Sequence, residues 1–333
     1  MSILKTKFSA SKPALLGVIA VASLGFCPSV SVGQEFPTKP VRLIVPFPPG
    51  GTPDVIARLL SDKLSPMWKQ PVIVEHKPGA SSNIGSDFVA KAPPDGHTLL
   101  MVPNNIPAIN PLVFSRMPFN PEKDLASVTL VGITPFLLVT GPSLPADSVQ
   151  AVVETARGRP NGITYASSGV GSNQHLFAEM LRSLTGAPMT HVPYKGGPAS
   201  IVDVVGGVVD MQFGAVPSVL PHIRSGRLKA LAVTGSKRVK ALPQVPTLVE
   251  AGIAGFENEG WIGLSAPAGV PAGVLERINR DVREVLKRQD VIDALLEHGI
   301  EASTGTPAEM AARIAAEKAS WSKVVAEAGI RAE

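Results

Sequence analysis

One local unit recurs along this chain and restricts its fold more than any other feature. It is a β-branched strand, then a loop of Gly, Ser and Pro, then an amphipathic helix. Such alternation argues for parallel strands with helices on the sheet faces, because a parallel pair needs a crossover connection. In the first unit Val41 to Val45 is the strand, Pro46 to Gly51 the loop, and a helix follows from Pro53. Thr52 is placed to cap that helix, Pro53 suits its first position, and Asp54 sits well in its first turn. Ile56, Leu60 and Leu64 recur at every fourth residue, so one face is buried. A second unit runs from Val72-Ile73-Val74 through Pro78-Gly79-Ala80-Ser81-Ser82 to a helix capped by Asn83. A third strand, Thr98 to Val102, reaches Pro103-Asn104-Asn105.

The pattern resumes further on. Ser127 to Val139 reads as an extended segment interrupted at Gly132 and Pro135. Ile163 to Ala166 is a strand, Ser167 to Gly171 its loop, and Ser172 the cap of a helix that Gly186 ends. Met189 to Tyr194 leads through Lys195-Gly196-Gly197 to a helix opened by Pro198. Val208 to Phe213 and Leu228 to Thr234 read as strands, with a short helix at 217–225 between them. Trp261 to Ala266 is a further strand, and 271–288 and 307–328 are helices. The similarity of the two halves suggests two comparable α/β lobes.

The first thirty or so of the 333 residues belong to targeting. Lys5, Lys7 and Lys12 precede an apolar run from Ala14 to Phe26, and Ser31-Val32-Gly33 offers small residues to a signal peptidase. This is a secretory signal peptide with cleavage after Gly33. The apolar run is too short for a bilayer, which needs about 20 residues. No twin arginine precedes it. Cys27, the one cysteine, follows Phe26 and fits a lipid-attachment site poorly, so the mature chain has neither disulfide nor thiolate chemistry. The signal also carries much of the positive charge. Without its three lysines the 31 basic residues become 28, against 27 acidic. That leaves no electrostatic case for nucleic acid or an anionic membrane surface.

The loops carry the chemistry. A helix N-terminus leaves backbone N–H groups without partners and bears about half a positive charge. Glycine and serine before it let an anion approach the backbone. That arrangement recurs at Gly50-Gly51-Thr52, at Gly79 to Asn83, at Ser168 to Ser172 and at Gly196-Gly197. In open α/β sheets such loops gather at the carboxyl ends of the strands. Enzymatic signatures are missing: no P-loop, no third glycine after Gly169-Val170-Gly171, no nucleophile elbow, and six histidines without metal-ligand spacing. His175 reads equally as a ligand donor or a polar residue at a helix start. Asp54 is a helix-dipole partner or an orienter of loop and bound water. Tyr194 and Lys195 face a ligand or, for Tyr194, lie half buried in a strand. Trp68, Trp261 and Trp321 read as packing residues, and His222 and His298 as surface residues.

At this point the sequence resembles the periplasmic solute-binding receptors of tripartite tricarboxylate transporters, the Bug-type family. The resemblance spans essentially the mature chain. It rests on Phe36 to Arg42, Val45 to Asp54, Lys77 to Gly79 with Asn83 to Gly85, and Pro94 to Leu99. Tyr165 to Gly169 with Gly171, Ser172 and His175, His191 to Gly196, Leu228 to Thr234 and Pro243 to Thr247 complete it. It implies an α/β Venus-flytrap fold, a two-lobed periplasmic binding protein (type II-like), with lobes at 34–134 plus 259–333 and at 135–258. It implies a cleft formed by Phe47, Pro48, Gly50, Gly51, Thr52 and Asp54, by Gly79 to Asn83, and by Asn104. Ser167, Ser168, Gly171, Ser172, His175, Tyr194, Lys195 and Gly214 complete that cleft. The implied ligand is a small carboxylate, with no cofactor, metal or nucleic acid. The implied partner is a set of membrane permease subunits, or a membrane sensor, served by a periplasmic monomer. An exported hydrolase or lyase on this fold would need a nucleophile–base pair or a metal set. Gly51-Thr52-Pro53-Asp54 departs from the order common in relatives. Gly214 stands where many carry a cleft aspartate, which implies a less polar or roomier pocket.

Overall fold

Pro135 divides one extended run into two strands that belong to different sheets. Proline has no N–H for a ladder bond, so the break falls there. The computed structural model describes residues 36–256 and 258–331, together with residues 7, 9 and 10. Apart from those three positions the signal peptide, Cys27 included, lies outside the described residues.

The chain runs β1 (Val41–Val45), α1 (Thr52–Trp68), β2 (Val72–His76), a 3-10 turn at Ala80–Ser82, α2 (Asn83–Ala90) and β3 (Thr98–Pro103). Three short helices follow, α3 (Asn105–Ala108), α4 (Asn110–Val113) and α5 (Pro121–Asp124), before β4 (Leu125–Thr134) and β5 (Phe136–Thr140). Next come α6 (Val149–Gly158), β6 (Ile163–Ser167), α7 (Asn173–Thr185), β7 (Met189–Pro193), α8 (Gly197–Val205), β8 (Met211–Ala215), α9 (Val216–Arg224) and β9 (Lys229–Val233). The chain ends with β10 (Gly260–Pro267), α10 (Ala272–Leu286), α11 (Gln289–Glu297), β11 (Glu301–Ala302) and α12 (Pro307–Ala328).

One sheet has the order β11-β4-β10-β3-β1-β2 and the other β7-β6-β8-β5-β9. Both are mixed, which corrects the expectation of parallel sheets. β1 pairs in parallel with β2 and β3, and β6 with β7 and β8. β10 is antiparallel to β3 and β4, and β5 is antiparallel to β8 and β9. The antiparallel strands are those flanking the crossings between sheets, where no helix intervenes to turn the chain back.

Other boundaries moved for identifiable reasons. The helix expected over 271–288 is α10, and α11 follows it after a short break. Helix α6 went unanticipated, although Ser148 caps it by accepting from the Ala151 N–H. Strand β8 starts at Met211, and Val208 is exposed. Thr52 and Asn83 are first residues of their helices and not caps; Gly51 and Ser82 hold the cap positions and make no side-chain cap bond. His298 is exposed, as expected, while His222 is half-buried.

Each sheet carries apolar clusters. Val41, Leu43 and Leu99 meet Ile56, Leu60 and Val282, while Ile44, Leu100 and Val102 meet Val89, Trp261 and Met310. On the second sheet Leu138, Tyr165 and Phe213 pack with Val152, Phe177 and Phe256. Trp321 and Val325, near the end of α12, join this last cluster, with the Trp321 ring 5.7 Å from Phe177. Helix α12 therefore begins on one core and ends on the other.

Candidate functional site

Both sheets reverse their winding direction beside one central strand. β1 lies between β2 and β3, and β6 lies between β7 and β8. The loops leaving neighbouring strands at such a point diverge to opposite sheet faces and open a crevice. The loops after β1, β3, β6 and β8 all line one cavity between the sheets, of about 90 Å³. They contribute Phe47, Pro48, Gly51, Thr52, Asn105, Ser168, Ser172, Asn173, Gln174, Ala215 and Ser218. Thr134, Phe136, Gly260, Trp261 and Ile262, from the strands that cross between sheets, complete its wall.

Four helices start at this cavity. Thr52 opens α1, Asn173 opens α7, Gly197 opens α8, and Ser218 stands in the first turn of α9. Each N-terminus contributes unpaired N–H groups and about half a positive charge. None of the lining residues is ionisable. Thr52 Oγ1 and Thr134 Oγ1, on residues 3% and 2% exposed, have no hydrogen-bond partner among the described residues, and neither does Asn173 Oδ1. Buried polar atoms are normally paired, so a cavity lined by three that are not is shaped for a polar occupant. Because Thr52 does not cap α1, its hydroxyl is left free for this cavity.

The loops are fixed from behind. Asp54 is buried and does not line the cavity; it accepts from the Gly50 N–H at 2.9 Å, Arg58 Nε at 3.0 Å and His76 Nε2 at 2.8 Å. Burial alone would raise its carboxyl, but these bonds outweigh it and hold the group below the usual range. In the second sheet Gly171 N–H donates to His175 Nδ1 at 3.2 Å, so a neutral His175 carries its proton on Nε2. His175 stacks on His191 with ring centres 3.9 Å apart. Burial pushes both rings down, with the neighbouring His191 and Arg182 adding to the effect at His175: His175 to about 3 and His191 to about 4. Both are neutral near pH 7.

Ser167 Oγ lies 2.6 Å from His191 Nε2, a nucleophile–base distance. Ser167 is nonetheless fully buried, lines neither chamber, and accepts from the Gly169 N–H. The pair holds a loop in shape.

A second chamber of about 540 Å³ adjoins the first and shares Phe47, Pro48 and Ser168 with it. Its walls are the loops after the outer strands β2 and β7: Gly79 to Ser82 on one side, Tyr194, Lys195 and Gly196 on the other. The sheets approach closely here. A Cβ on Gly196, whose φ is +114°, would stand 3.1 Å from Pro48 Cγ. Ser81 Oγ donates across to the Val170 carbonyl, and Asn173 Nδ2 donates to Asn104 Oδ1 at 2.6 Å.

Ala80, Ser81 and Ser82 have φ of 45°, 49° and 75°. Three successive non-glycine residues in the left-handed region are costly, at roughly 1 kcal/mol each. Asn105 and Asn110 hold the segment by donating to the Ser81 carbonyl, both at 3.0 Å. Ser82 Oγ is buried without a partner among the described residues. Ser82→Gly is therefore expected to stabilise the empty protein by about 0.5–1 kcal/mol, raising the unfolding midpoint by roughly 2 °C in a thermal melt. A lowered midpoint would mean that the turn is not under strain.

The sequence itself decides the family. The model described as "Tripartite tricarboxylate transporter family receptor" matches residues 56–330. The chain belongs to this family. The receptor is 38% identical over 320 residues to Protein BugT of Bordetella pertussis, covering 95% of this chain and 98% of that one. The solved structure of R. palustris Rpa4515 with adipate shares 36% identity at a TM-score of 0.86, covering 89% of this chain and 99% of that one. The periplasmic binding protein BugD shares 29% identity at a TM-score of 0.83, covering 90% and 100%. The receptor has the two-lobed α/β fold of periplasmic binding proteins, and it is a solute-binding protein of a family of receptors, not of enzymes.

The expected site residues separate into three groups in the receptor. Phe47, Pro48, Gly51, Thr52, Ser168 and Ser172 line the inner cavity. Gly79, Ala80, Ser81, Ser82, Tyr194 and Lys195 line the outer chamber, where Tyr194 Oη donates to Asp203 at 2.5 Å. Gly50, Asp54, Asn83, Asn104, Ser167, Gly171, His175 and Gly214 line neither. Asn83 accepts from Asn110 at 2.8 Å, and a Cβ on Gly214 would meet Val219 of α9 at 2.2 Å. Sequence reasoning missed Thr134, Phe136, Trp261 and Ile262, because only the crossing of strands between sheets brings them to the cavity. Ser218 had a signal: it falls in the first turn of a helix that directly follows a strand.

Proposed function

We propose that this receptor captures a small carboxylated molecule in the inner cavity, outside the cytoplasmic membrane, and delivers it to the permease subunits of a tripartite transporter. One observation carries the reading: four helix N-termini meet at a cavity with three unpartnered polar atoms and no ionisable side chain. Such a site neutralises an anion with backbone dipoles and N–H groups. Adipate in Rpa4515 supports a carboxylate as the occupant. The lobes are 34–134 plus 259–333 and 135–258, with α12 reaching from the first into the core of the second. The signal is cleaved after Gly33 and the mature chain works in the periplasm.

Native mass spectrometry of residues 34–333 purified from the periplasm, followed by denaturation, should release an organic acid at one per chain. Calorimetry with that acid should show about a tenfold loss for Thr52→Val, which deletes one hydrogen bond to a charged group at constant volume. Release of a cationic or neutral solute, or unchanged affinity in Thr52→Val, would count against the carboxylate reading or its seat respectively.

A further inference from the structure

We propose that Asn173 is a specificity-determining residue, accepting a hydrogen bond from an uncharged donor that the bound acid carries near its carboxylate, and that Glu317 fixes this polarity through Asn104. This rests on the reading of the inner cavity as a carboxylate site. A side-chain amide has a donor end and an acceptor end, and the end left for a ligand depends on what the other end bonds. Here a relay decides it. Glu317, as a carboxylate, only accepts. Trp261 Nε1 and Arg313 Nε donate to its Oε1, and Asn104 Nδ2 donates to its Oε2 at 3.3 Å. Asn104 is fully buried, and its Oδ1 is the end that remains for Asn173. Asn173 Nδ2 donates to that oxygen at 2.6 Å. What Asn173 has left is therefore Oδ1, an acceptor, buried without a partner among the described residues. Asn173 lines the inner cavity.

The other polar groups of the wall do not impose this choice. Thr52 and Thr134, almost fully buried, line the same cavity with unpartnered hydroxyls, which rotate to donate or accept as a ligand requires. Gln174 commits its Oε1 to the Ser168 N–H at 2.6 Å, so the group it has left is a donor. Hydroxyls, amide N–H groups and helix N-termini all suit a carboxylate. Asn173 Oδ1 does not: two acceptor oxygens brought together in a site poor in water both stay unpaired. A ketone or ether oxygen at that place fails for the same reason. A site whose buried group needs a hydrogen-bonding partner rejects analogues that lack it. The chemistry selected is a short acid with a hydroxyl or amide N–H close to its carboxylate.

Acids that differ only in the state of one oxygen test this. Calorimetry near pH 7 should compare 2-hydroxybutanoate with 2-oxobutanoate, and 3-hydroxybutanoate with 3-oxobutanoate, on the mature wild type, Asn173→Leu and Glu317→Gln. In the wild type the hydroxy acid of at least one pair should bind about tenfold more tightly than its oxo partner. Asn173→Leu should abolish that preference. Glu317→Gln should reverse it. There the substituted side chain keeps its oxygen for Trp261 and Arg313, and its amide nitrogen donates to Asn104 Oδ1. Asn104 then donates to Asn173 Oδ1, and Asn173 Nδ2 becomes the end left for the ligand. A residue that only braced the fold would weaken both members of a pair alike. Equal binding within both pairs by the wild type, or a preference that Asn173→Leu retains in full, would overturn the role of Asn173 while leaving the inner site standing. A preference unchanged in Glu317→Gln would overturn the relay. Failure of all four acids to bind would remove the carboxylate reading itself, and this inference with it.

Discussion

Asp54→Ala is expected to weaken ligand binding by at least about a hundredfold and to cost about 2–3 kcal/mol of stability. The carboxylate touches no cavity wall, so the effect must pass through the loop it holds. Its three donors are the Gly50 N–H, Arg58 and His76. Alanine leaves that backbone N–H unpaired and removes the acid from the first turn of α1, where it complements the helix dipole. The β1 loop, which presents Gly51 and Thr52 to the cavity, then loses its tether. Asp54→Asn keeps an acceptor and should lose less. The pH dependence has a definite sign. The folded carboxyl is held below its unfolded value of 3.8, so its contribution is present above that value and fades as pH falls through the lower folded value. Thermal melts between pH 7 and pH 2 should show a shallower acid limb for Asp54→Asn than for the wild type. An Asp54→Ala protein with wild-type affinity would mean that the loop is rigid without this tether.

How far the site can be read from sequence depends on whether the information is local. The strand–loop–helix units were legible because β-branched runs, glycine loops and four-residue apolar spacing all act within a dozen residues. Val41–Val45 and Pro307–Ala328 appear with the bounds expected of them. The loops that line the two chambers were legible for the same reason, since a Gly/Ser loop before a helix is a local pattern. What sequence did not disclose is long-range. Nothing local in Gly260 to Pro267 says that this strand enters the first sheet antiparallel between β3 and β4 and turns Trp261 toward the cavity. Nothing local divides Ser82 from Ser172 into different chambers; the winding of each sheet does that. Asn83 and Thr52 looked like caps by residue type, but their backbones are already helical, so their side chains bond elsewhere or remain free. The unpartnered hydroxyl of Thr52 in the cavity wall follows from that displacement by one residue.

Glu317→Ala should cost about 3 kcal/mol and lower the unfolding midpoint by roughly 6–12 °C. Glu317, on α12, accepts from Trp261 Nε1 at 2.6 Å, Arg313 Nε at 3.0 Å and Asn104 Nδ2 at 3.3 Å. Trp261 lines the inner cavity, and Asn104 accepts from Asn173 across the sheets. The carboxylate thus sets both an indole wall and a link between the two halves, and its loss leaves Trp261 and Asn104 donors unpaired. Ligand affinity should fall with stability, by about tenfold, as the indole loosens. Here the titration runs opposite to that of Asp54. Burial outweighs the lowering from Arg313, Asn104 and Trp261, so the folded carboxyl sits above its ordinary 4.5. A raised carboxyl contributes most below its unfolded value and loses that contribution as pH rises through the folded one. The stability of the wild type relative to Glu317→Gln should therefore increase as pH falls from 7 toward 4.5, in the same melts in which Asp54 begins to weaken the fold only below that range. A difference independent of pH would mean that water reaches Glu317 and cancels the cost of its burial.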